Sequence, residues 1–471
     1  MVPVRVNSDF IQITHLNRRK FIEQTAFSAA YLALFPSLFS SCKKETLYSD
    51  STFKGDVIII GAGASGMYAA YLLAQQGINV RVLEASDSYG GRVKSLTDFA
   101  DFHIELGAEV IHGERSLWYD MVLASGAKFI TADSNDYFYF NGSLKTEEEA
   151  VSNTFFNAMR TMVDIAPSYS GSDISAASYG QLSGLNNNVS HLFNALLANE
   201  NGTSAERLGM HGLRDADEKW TAGNKNFMLK DKSLLQVMEQ RFSSIIDKIS
   251  LNTEVISIDY STNKILITDA NDNTYETDKV ILTVPISILK DGDISFNPAL
   301  PADKTNAFQK IGFDVGMKII LKFDERIWQE NTGSIYGQGL VPEFWATAAG
   351  GRSSTDSLLT AFVTGEKAEQ LSLLGDSILP TVLSELDVIL GDATSHFVSG
   401  HVQDWGNEPF IRGAYSYPKI GTGTARDIAS LNLAGKVFFA GEAMHTAGHF
   451  ATVHGAMETA LRAVHEILMA S

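Results

Sequence analysis

The run Asp56-Val57-Ile58-Ile59-Ile60-Gly61-Ala62-Gly63-Ala64-Ser65-Gly66 decides the fold. Residues 56–60 are rich in β-branched side chains and read as a buried parallel strand. The glycine run follows at once. Residues 67–76 are helix-forming and alanine-rich, with Gly77 as the stop. Residues 78–83 form a second strand that ends at Glu84. Glycine spacing alone is weak evidence, because glycine-rich turns are common. Strand, glycine turn, helix, second strand and terminal acid in this order make the dinucleotide fingerprint. Gly61 permits the tight turn, Gly63 lets the backbone approach a pyrophosphate, and Gly66 lets helix and strand pack closely. The turn that holds Ser65 offers helix N-terminal N–H groups and a partial positive charge to the phosphates. The Glu84 carboxylate suits the two ribose hydroxyls of an adenosine.

At the far end of the chain stands Phe439-Ala440-Gly441-Glu442, so the first and last stretches are expected to meet on one cofactor. The next glycine pair, Gly90-Gly91, carries Arg92, whose guanidinium can bridge two phosphate oxygens. That selects FAD over NAD. Three stretches then carry a specific resemblance: GAGASGMYAAYLLAQQG (61–77), VLEASDSYGGRV (82–93) and ELGAEVIHG (105–113). They resemble the start of the flavin amine oxidase family, which includes monoamine oxidases, polyamine and spermine oxidases and flavin-dependent histone demethylases. The Ile-His-Gly at 111–113 is most similar to the polyamine branch.

The chain has 471 residues, enough for two domains, with 45% hydrophobic and 20% charged residues. The net charge of −18 argues against nucleic acid as a main partner and is compatible with a cationic substrate. Cys42 is the one cysteine, so no disulfide can form within the chain and no zinc-ribbon spacing exists. Residues 1–41 do not read as enzyme. Arg18-Arg19-Lys20-Phe21 precedes an apolar, serine-containing run too short for a comfortable membrane span. The paired arginines resemble a twin-arginine export signal. Residues 38–42 (Leu-Phe-Ser-Ser-Cys) resemble a lipoprotein cleavage box with Cys42 as the lipidated residue. Asn17 and Phe39 depart from those two patterns. The expectation is a bacterial exported protein of the periplasm or envelope, lipid-anchored at Cys42, with 42–54 as a tether.

The expected fold is α/β: a discontinuous Rossmann-like FAD-binding domain (55–125, 230–295, 425–471) and an α+β substrate domain (126–229, 296–424) with a mixed sheet and helical insert. Residues 147–248 read as mostly helical. Residues 249–259 and 264–269 read as a hairpin, and 279–284 as a strand back into the FAD domain. By the resemblance, the backbone of Val255 would contact the adenine and the Gly107-Ala108 pair would border the flavin.

The remaining site residues come mainly from the resemblance. Lys318, in the segment 311–324, occupies the place of a lysine held near flavin N5 through a water. Lys322, four residues on, reads as a solvated edge lysine. Trp405 would pack on the flavin edge. Tyr415 would form one wall of an aromatic slot, where a ring face favours ammonium. Ala414 stands where monoamine oxidases carry the flavin-linking cysteine, which implies non-covalent FAD. Gly441 and Glu442 would hold the ribityl chain. The backbone of Thr452 and Val453 would meet the flavin at a helix N-terminus, where negative charge on the reduced ring is stabilised. Glu109 and His112 would sit near the entry, with Glu109 as an anchor for a cationic substrate. No arginine follows the Gly107-Ala108 pair, which favours amines over amino acids. His445, His449 and His454 lack a metal-site pattern and a companion carboxylate other than Glu442, so no metal is expected. The implied activity is FAD-dependent oxidation of a small-molecule amine to an imine, with dioxygen reduced to hydrogen peroxide. Catalytic candidates are Lys318 and Tyr415. Another FAD oxidoreductase of the superfamily, of L-amino-acid oxidase or desaturase type, and a non-catalytic flavin-binding envelope protein are the alternatives.

Overall fold

A computed structural model describes residues 52–130, 134–352 and 355–469. The expected signal segment, most of the tether and Cys42 lie outside the described residues.

The strand Val57–Ile60 is buried along its whole length and sits at the centre of a five-stranded sheet. Its neighbours are Val80–Leu83 on one side and Lys279–Leu282 on the other; Ile249–Ser250 and Val437–Phe439 form the edges. All pairings are parallel. Side chains alternate between faces with period two. Val57 and Ile59 therefore pack under the helices Ala64–Gln75 and Val453–Met469, with Met67, Leu73, Ala460 and Val464. Ile58 and Ile60 join Val280, Leu282 and Phe439 on the opposite face. The first and last stretches of the described chain thus share one core.

The first helix begins at Ala64, three residues earlier than expected, with Gly63 as a cap that contributes no side chain. Ala64-Ser65-Gly66 is its first turn. Gly66 is obligatory there, because a Cβ would lie 1.9 Å from the Gly61 carbonyl oxygen.

The hairpin expected over 249–259 and 264–269 is present, but its first strand is split in two. Ile249–Ser250 extends the parallel sheet, and Val255–Asp259 pairs with Ile265–Asp269 in a four-stranded sheet. Between them Asn252 adopts φ +52°. The Asn252 and Thr253 N–H groups donate to the Ser86 and Glu84 carbonyls, which turns the chain away from the first sheet. The boundary expected at 295 falls inside the strand Ser295–Asn297 of that four-stranded sheet.

The second large sheet has seven strands in the order Phe397–Asp404, Gly316–Phe323, Ser357–Thr364, Glu343–Ala346, Thr332–Tyr336, Asn135–Phe140, Ser143–Thr146. Gly316–Phe323 is therefore an interior strand. Lys322 is not a solvated edge residue as expected: its ammonium pairs with Asp356 at 2.9 Å. The region 147–248 is largely helical, but Asn226–Phe227 interrupts it and pairs antiparallel with Ile111–His112. That pairing fixes the segment that follows Gly107-Ala108. Among the described residues, no helix is long and apolar enough to cross a membrane.

Candidate active site

The five-stranded and seven-stranded sheets both contribute walls to one cavity of about 1510 Å³. It opens where the carboxyl ends of the parallel strands Val57–Ile60, Val80–Leu83 and Lys279–Leu282 stop, the usual ligand crevice of such a sheet. Gly61, Gly63, Ser65, Glu84, Gly91 and Arg92 line it from the N-terminal stretch, and Gly441, Glu442, Thr452 and Val453 from the C-terminal one. Gly107, Ala108, Glu109, His112, Val255, Lys318, Trp405 and Tyr415 complete the wall. Of the residues expected at the site only Gly66 lies behind it, packed on the Gly61 carbonyl.

The dinucleotide end is built for close approach. Gly63 bridges to Gly90, and no atom other than the Gly90 carbonyl, at 4.0 Å, lies near a Cβ placed on Gly63. A side chain there would project into the cavity. The Ser65 hydroxyl is buried and has no partner, and buried polar groups are rarely left so. One Glu84 oxygen accepts from the Ala62 N–H at 2.6 Å and the other from the Ser86 N–H and hydroxyl. Each carboxylate oxygen retains accepting capacity. A glycine cradle, an orphan hydroxyl at a helix start and an acid at the end of the second strand fit the pyrophosphate and ribose of FAD.

Arg92 and Glu442 join the two ends of the chain. The Arg92 guanidinium donates to the Glu442 carboxylate and to the Ala414 carbonyl, both at 2.9 Å. Glu442 also accepts from the Ser416 hydroxyl and N–H and from the Ala451 N–H. Burial pushes its carboxyl up, but Arg92, Ser416 and Arg426 outweigh burial and hold it below the ordinary range. Arg426 was not legible in the sequence. Its guanidinium is buried, donates to the Ser416 hydroxyl and the Ala443 carbonyl, and stacks on Phe450 of the cavity wall. Val453 opens the last helix and, with Thr452, presents its N-terminal turn to the cavity. The Trp405 indole donates to the Leu106 carbonyl at 2.9 Å, which sets its ring beside Gly107.

On the substrate side, the Tyr415 hydroxyl donates to the Glu200 carbonyl at 2.9 Å, and its ring packs on Gly202. Trp345 and Phe362, both missed in the sequence, add a second aromatic pair with ring centres 5.6 Å apart. The Trp345 indole nitrogen is buried without a partner. His112 is held by Asn226, Nδ1 to Oδ1 at 3.0 Å.

Glu109 differs from expectation. It is 7% exposed, and its carboxylate is occupied by two cations: Lys318 Nζ at 2.8 Å and Arg352 Nη1 at 2.8 Å. Burial pushes its carboxyl up, yet Lys318 and Arg352 overcome this and bring it down to about 2. A carboxylate so matched is not an open anchor for a substrate cation. The arginine absent after Gly107-Ala108 arrives instead from residue 352, far along the chain. Lys318 donates to the Glu105 carbonyl as well, so protein atoms hold its ammonium directly.

The histidines also differ. A carboxylate does accompany them, and it is Glu458 from the last helix. One Glu458 oxygen accepts from His445 Nε2 at 2.7 Å and His449 Nδ1 at 2.8 Å. His445 Nδ1 accepts two backbone N–H groups, and His449 Nε2 accepts that of Thr221. Each imidazole then carries its proton toward Glu458, and the trio is satisfied as hydrogen bonds.

A sequence model of flavin-containing amine oxidoreductases matches residues 64–468. The chain belongs to this family. It is 30% identical over 454 residues to Lysine-specific histone demethylase 2 of Homo sapiens, covering 87% of this chain and 53% of that protein. It is 27% identical over 440 residues to Polyamine oxidase 4 of Oryza sativa subsp. japonica, covering 87% and 88%. The chain thus spans about half the length of the demethylase-type relatives it matches. The structure of wild-type putrescine oxidase bound to putrescine superposes with a TM-score of 0.72 at 21% identity, over 88% of this chain and 98% of that one. The family fold, an FAD-binding unit with a substrate-binding unit, is the fold described above.

Proposed function

We propose that this protein is an FAD-dependent amine oxidase that converts an amine carrying more than one ammonium group to an imine, with dioxygen as the acceptor. The observation that carries the reading is the continuous cavity of about 1510 Å³. It joins the glycine cradle and Glu84 at one end to Lys318, Tyr415 and an aromatic wall at the other. FAD held by the glycine cradle, Glu84, Arg92 and Glu442 would supply the two-electron acceptor for amine oxidation and the route for those electrons to dioxygen.

The chain's own residues orient and select. Tyr415, fixed by Glu200, offers a ring face that attracts an ammonium group on approach. Asp136, Glu147 and Glu330 line the cavity where the strands Asn135–Phe140, Ser143–Thr146 and Thr332–Tyr336 come together. Glu147 pairs with Arg160 at 3.6 Å and Asp136 accepts from the Ser334 N–H, so Glu330 is the carboxylate assigned to a second ammonium of a polyamine. The names of the rice and putrescine oxidase relatives agree with such a substrate. The Lys318–Glu109–Arg352 group keeps the inner wall cationic, so the reacting nitrogen is bound there as the neutral amine. With Ala414 on the wall, FAD is held without a covalent bond.

The leader supports export and lipid anchoring at Cys42. Loss of membrane association on Cys42→Ser tests that part separately.

Anaerobic mixing of the yellow protein with polyamines, monoamines and amino acids tests the main reading. Bleaching near 450 nm by polyamines first is the expected result. Absence of bleaching with every amine overturns it. Flavin released by acid precipitation shows non-covalent binding, whereas flavin that stays with the pellet contradicts it.

A further inference from the structure

On the cavity wall, Glu109 is the hub of a buried charge group. Lys318, 5% exposed, and Arg352, whose side chain is 4% exposed, each place a nitrogen 2.8 Å from a different Glu109 oxygen. The Lys318 ammonium also donates to the Glu105 carbonyl and lies 5.1 Å from the Trp345 ring centre. Arg352 is fixed again by the Leu229 carbonyl. The strand neighbours of Lys318 are uncharged, Phe362 on one side and Gln403 on the other. Glu343, opposite Phe362, accepts from Ser334. The Glu105 side chain accepts from the Leu234 N–H and the Ser95 hydroxyl. Burial pushes its carboxyl up to about 7, so near neutral pH it is an incomplete counter-charge. Two cations against one full carboxylate leave the group around Glu109 net positive.

We propose that Glu109 is a positioning residue, which holds the Lys318 ammonium ionised at a fixed point on the cavity wall and leaves that wall cationic toward a bound flavin. The inference rests on the reading of the cavity as a flavin site. A buried ammonium without a counter-ion favours its neutral form. Removing the Glu109 charge therefore makes the charge of Lys318 depend on pH, whereas a purely space-filling Glu109 would not.

Inorganic sulfite, added to the flavin-loaded full-length protein, reads that charge. Sulfite donates its electron pair to the oxidised flavin ring, which then carries the added negative charge, so its dissociation constant follows the charge of the wall. Each variant is compared with wild type at the same pH, which cancels the titration of sulfite itself. Lys318→Met should weaken sulfite about tenfold at every pH. Glu109→Gln should bind as tightly as wild type or tighter at pH 6, and about tenfold more weakly by pH 9. Glu109→Asp should follow wild type. A Glu109→Gln to wild-type ratio that is flat from pH 6 to 9 overturns the proposal.

A second measurement needs no flavin. Adding Lys318→Met to Glu109→Gln removes one of the two cations left uncompensated, so the double variant should melt higher than Glu109→Gln alone. An equal or lower midpoint counts against the proposal. If wild type binds no flavin, the proposed function fails while the melting comparison still judges Glu109.

Discussion

At Glu442 a single buried carboxylate accepts hydrogen bonds from Arg92, Ser416 and Ala451, and without them burial would drive it toward protonation. Removing one partner of a buried pair leaves the other charge uncompensated, which costs about 3–5 kcal/mol. Arg92→Met is expected near the low end, because a quarter of the Arg92 side chain is exposed and Arg426 stays close. Chemical denaturation gives the loss and flavin absorbance gives the cofactor retained; destabilisation under about 1 kcal/mol would contradict the pairing. Glu105 carries the opposite pH signature. Burial raises its folded-state value to about 7 from 4.5, so the folded state holds a proton that the unfolded state releases between those pH values. Stability from this group is full below pH 4.5 and is lost as pH rises through about 7. Glu105→Gln should therefore gain on wild type as pH climbs from 5 to 7, by on the order of 1–3 kcal/mol, and then level off. A difference that stays constant across that range would show that Glu105 is ionised when folded.

The glycine-to-helix turn makes its own prediction. A Cβ on Gly66 would meet the Gly61 carbonyl at 1.9 Å, a backbone atom that cannot swing aside. Gly66→Ala should cost about 1–3 kcal/mol through overpacking and displace the helix start from the cavity, with flavin content falling together with melting temperature. Gly66→Ala protein that stays yellow and melts like wild type would refute the close approach. The last helix has a pH limb of its own. His454 is buried, and burial takes it down to about 3. The unfolded state binds the extra proton between about pH 3 and 6.5, so stability falls as pH drops through that window. His454→Gln should flatten the acid limb of the melting profile; an unchanged limb assigns acid lability elsewhere, to His445, which burial also lowers, or to Glu458 and Glu109, both at about 2. These elements also show what local sequence can carry. That the glycine turn, Glu84, Arg92, Lys318 and Trp405 share one region was legible, because each sits in a short pattern whose spacing or resemblance is local, and all of them line the cavity. Arg352, Glu458 and Arg426 were not, because each meets its partner only after the sheets and the last helix have closed. Glu109 was placed on the correct wall and given the wrong task, since its two cations come from residues 318 and 352. The hairpin of 249–259 with 264–269 was legible, but the continuity of its first strand was not: hydrogen bonds from Asn252 and Thr253 to residues 86 and 84 break a strand that its own side chains would continue.

At the scale of the molecule, the meeting of the two chain ends was legible from the sequence, whereas the strand order of the parallel sheet and the way the seven-stranded sheet gathers residues 135–146 with 316–404 were not. The sheet joins the edge strand Val437–Phe439 to Val57–Ile60 through Lys279–Leu282, and the helix Val453–Met469 covers the same core as Ala64–Gln75. Arg92 then ties residue 442 to the N-terminal stretch. A flavin seated in the cavity would contact both stretches at once, so its binding energy would act on the closure of the whole fold rather than on one end. Ligand binding confined to the folded state stabilises by about 2.7 kcal/mol at a hundredfold excess over Kd. FAD added to apoprotein should raise the melting midpoint and slow proteolysis within 57–113 and within 437–469 in parallel. FMN, which lacks the adenosine that Glu84 would hold, should protect less at both ends. Protection confined to the N-terminal stretch would mean that FAD binds without engaging the C-terminal helix, and the two ends would then meet through packing alone.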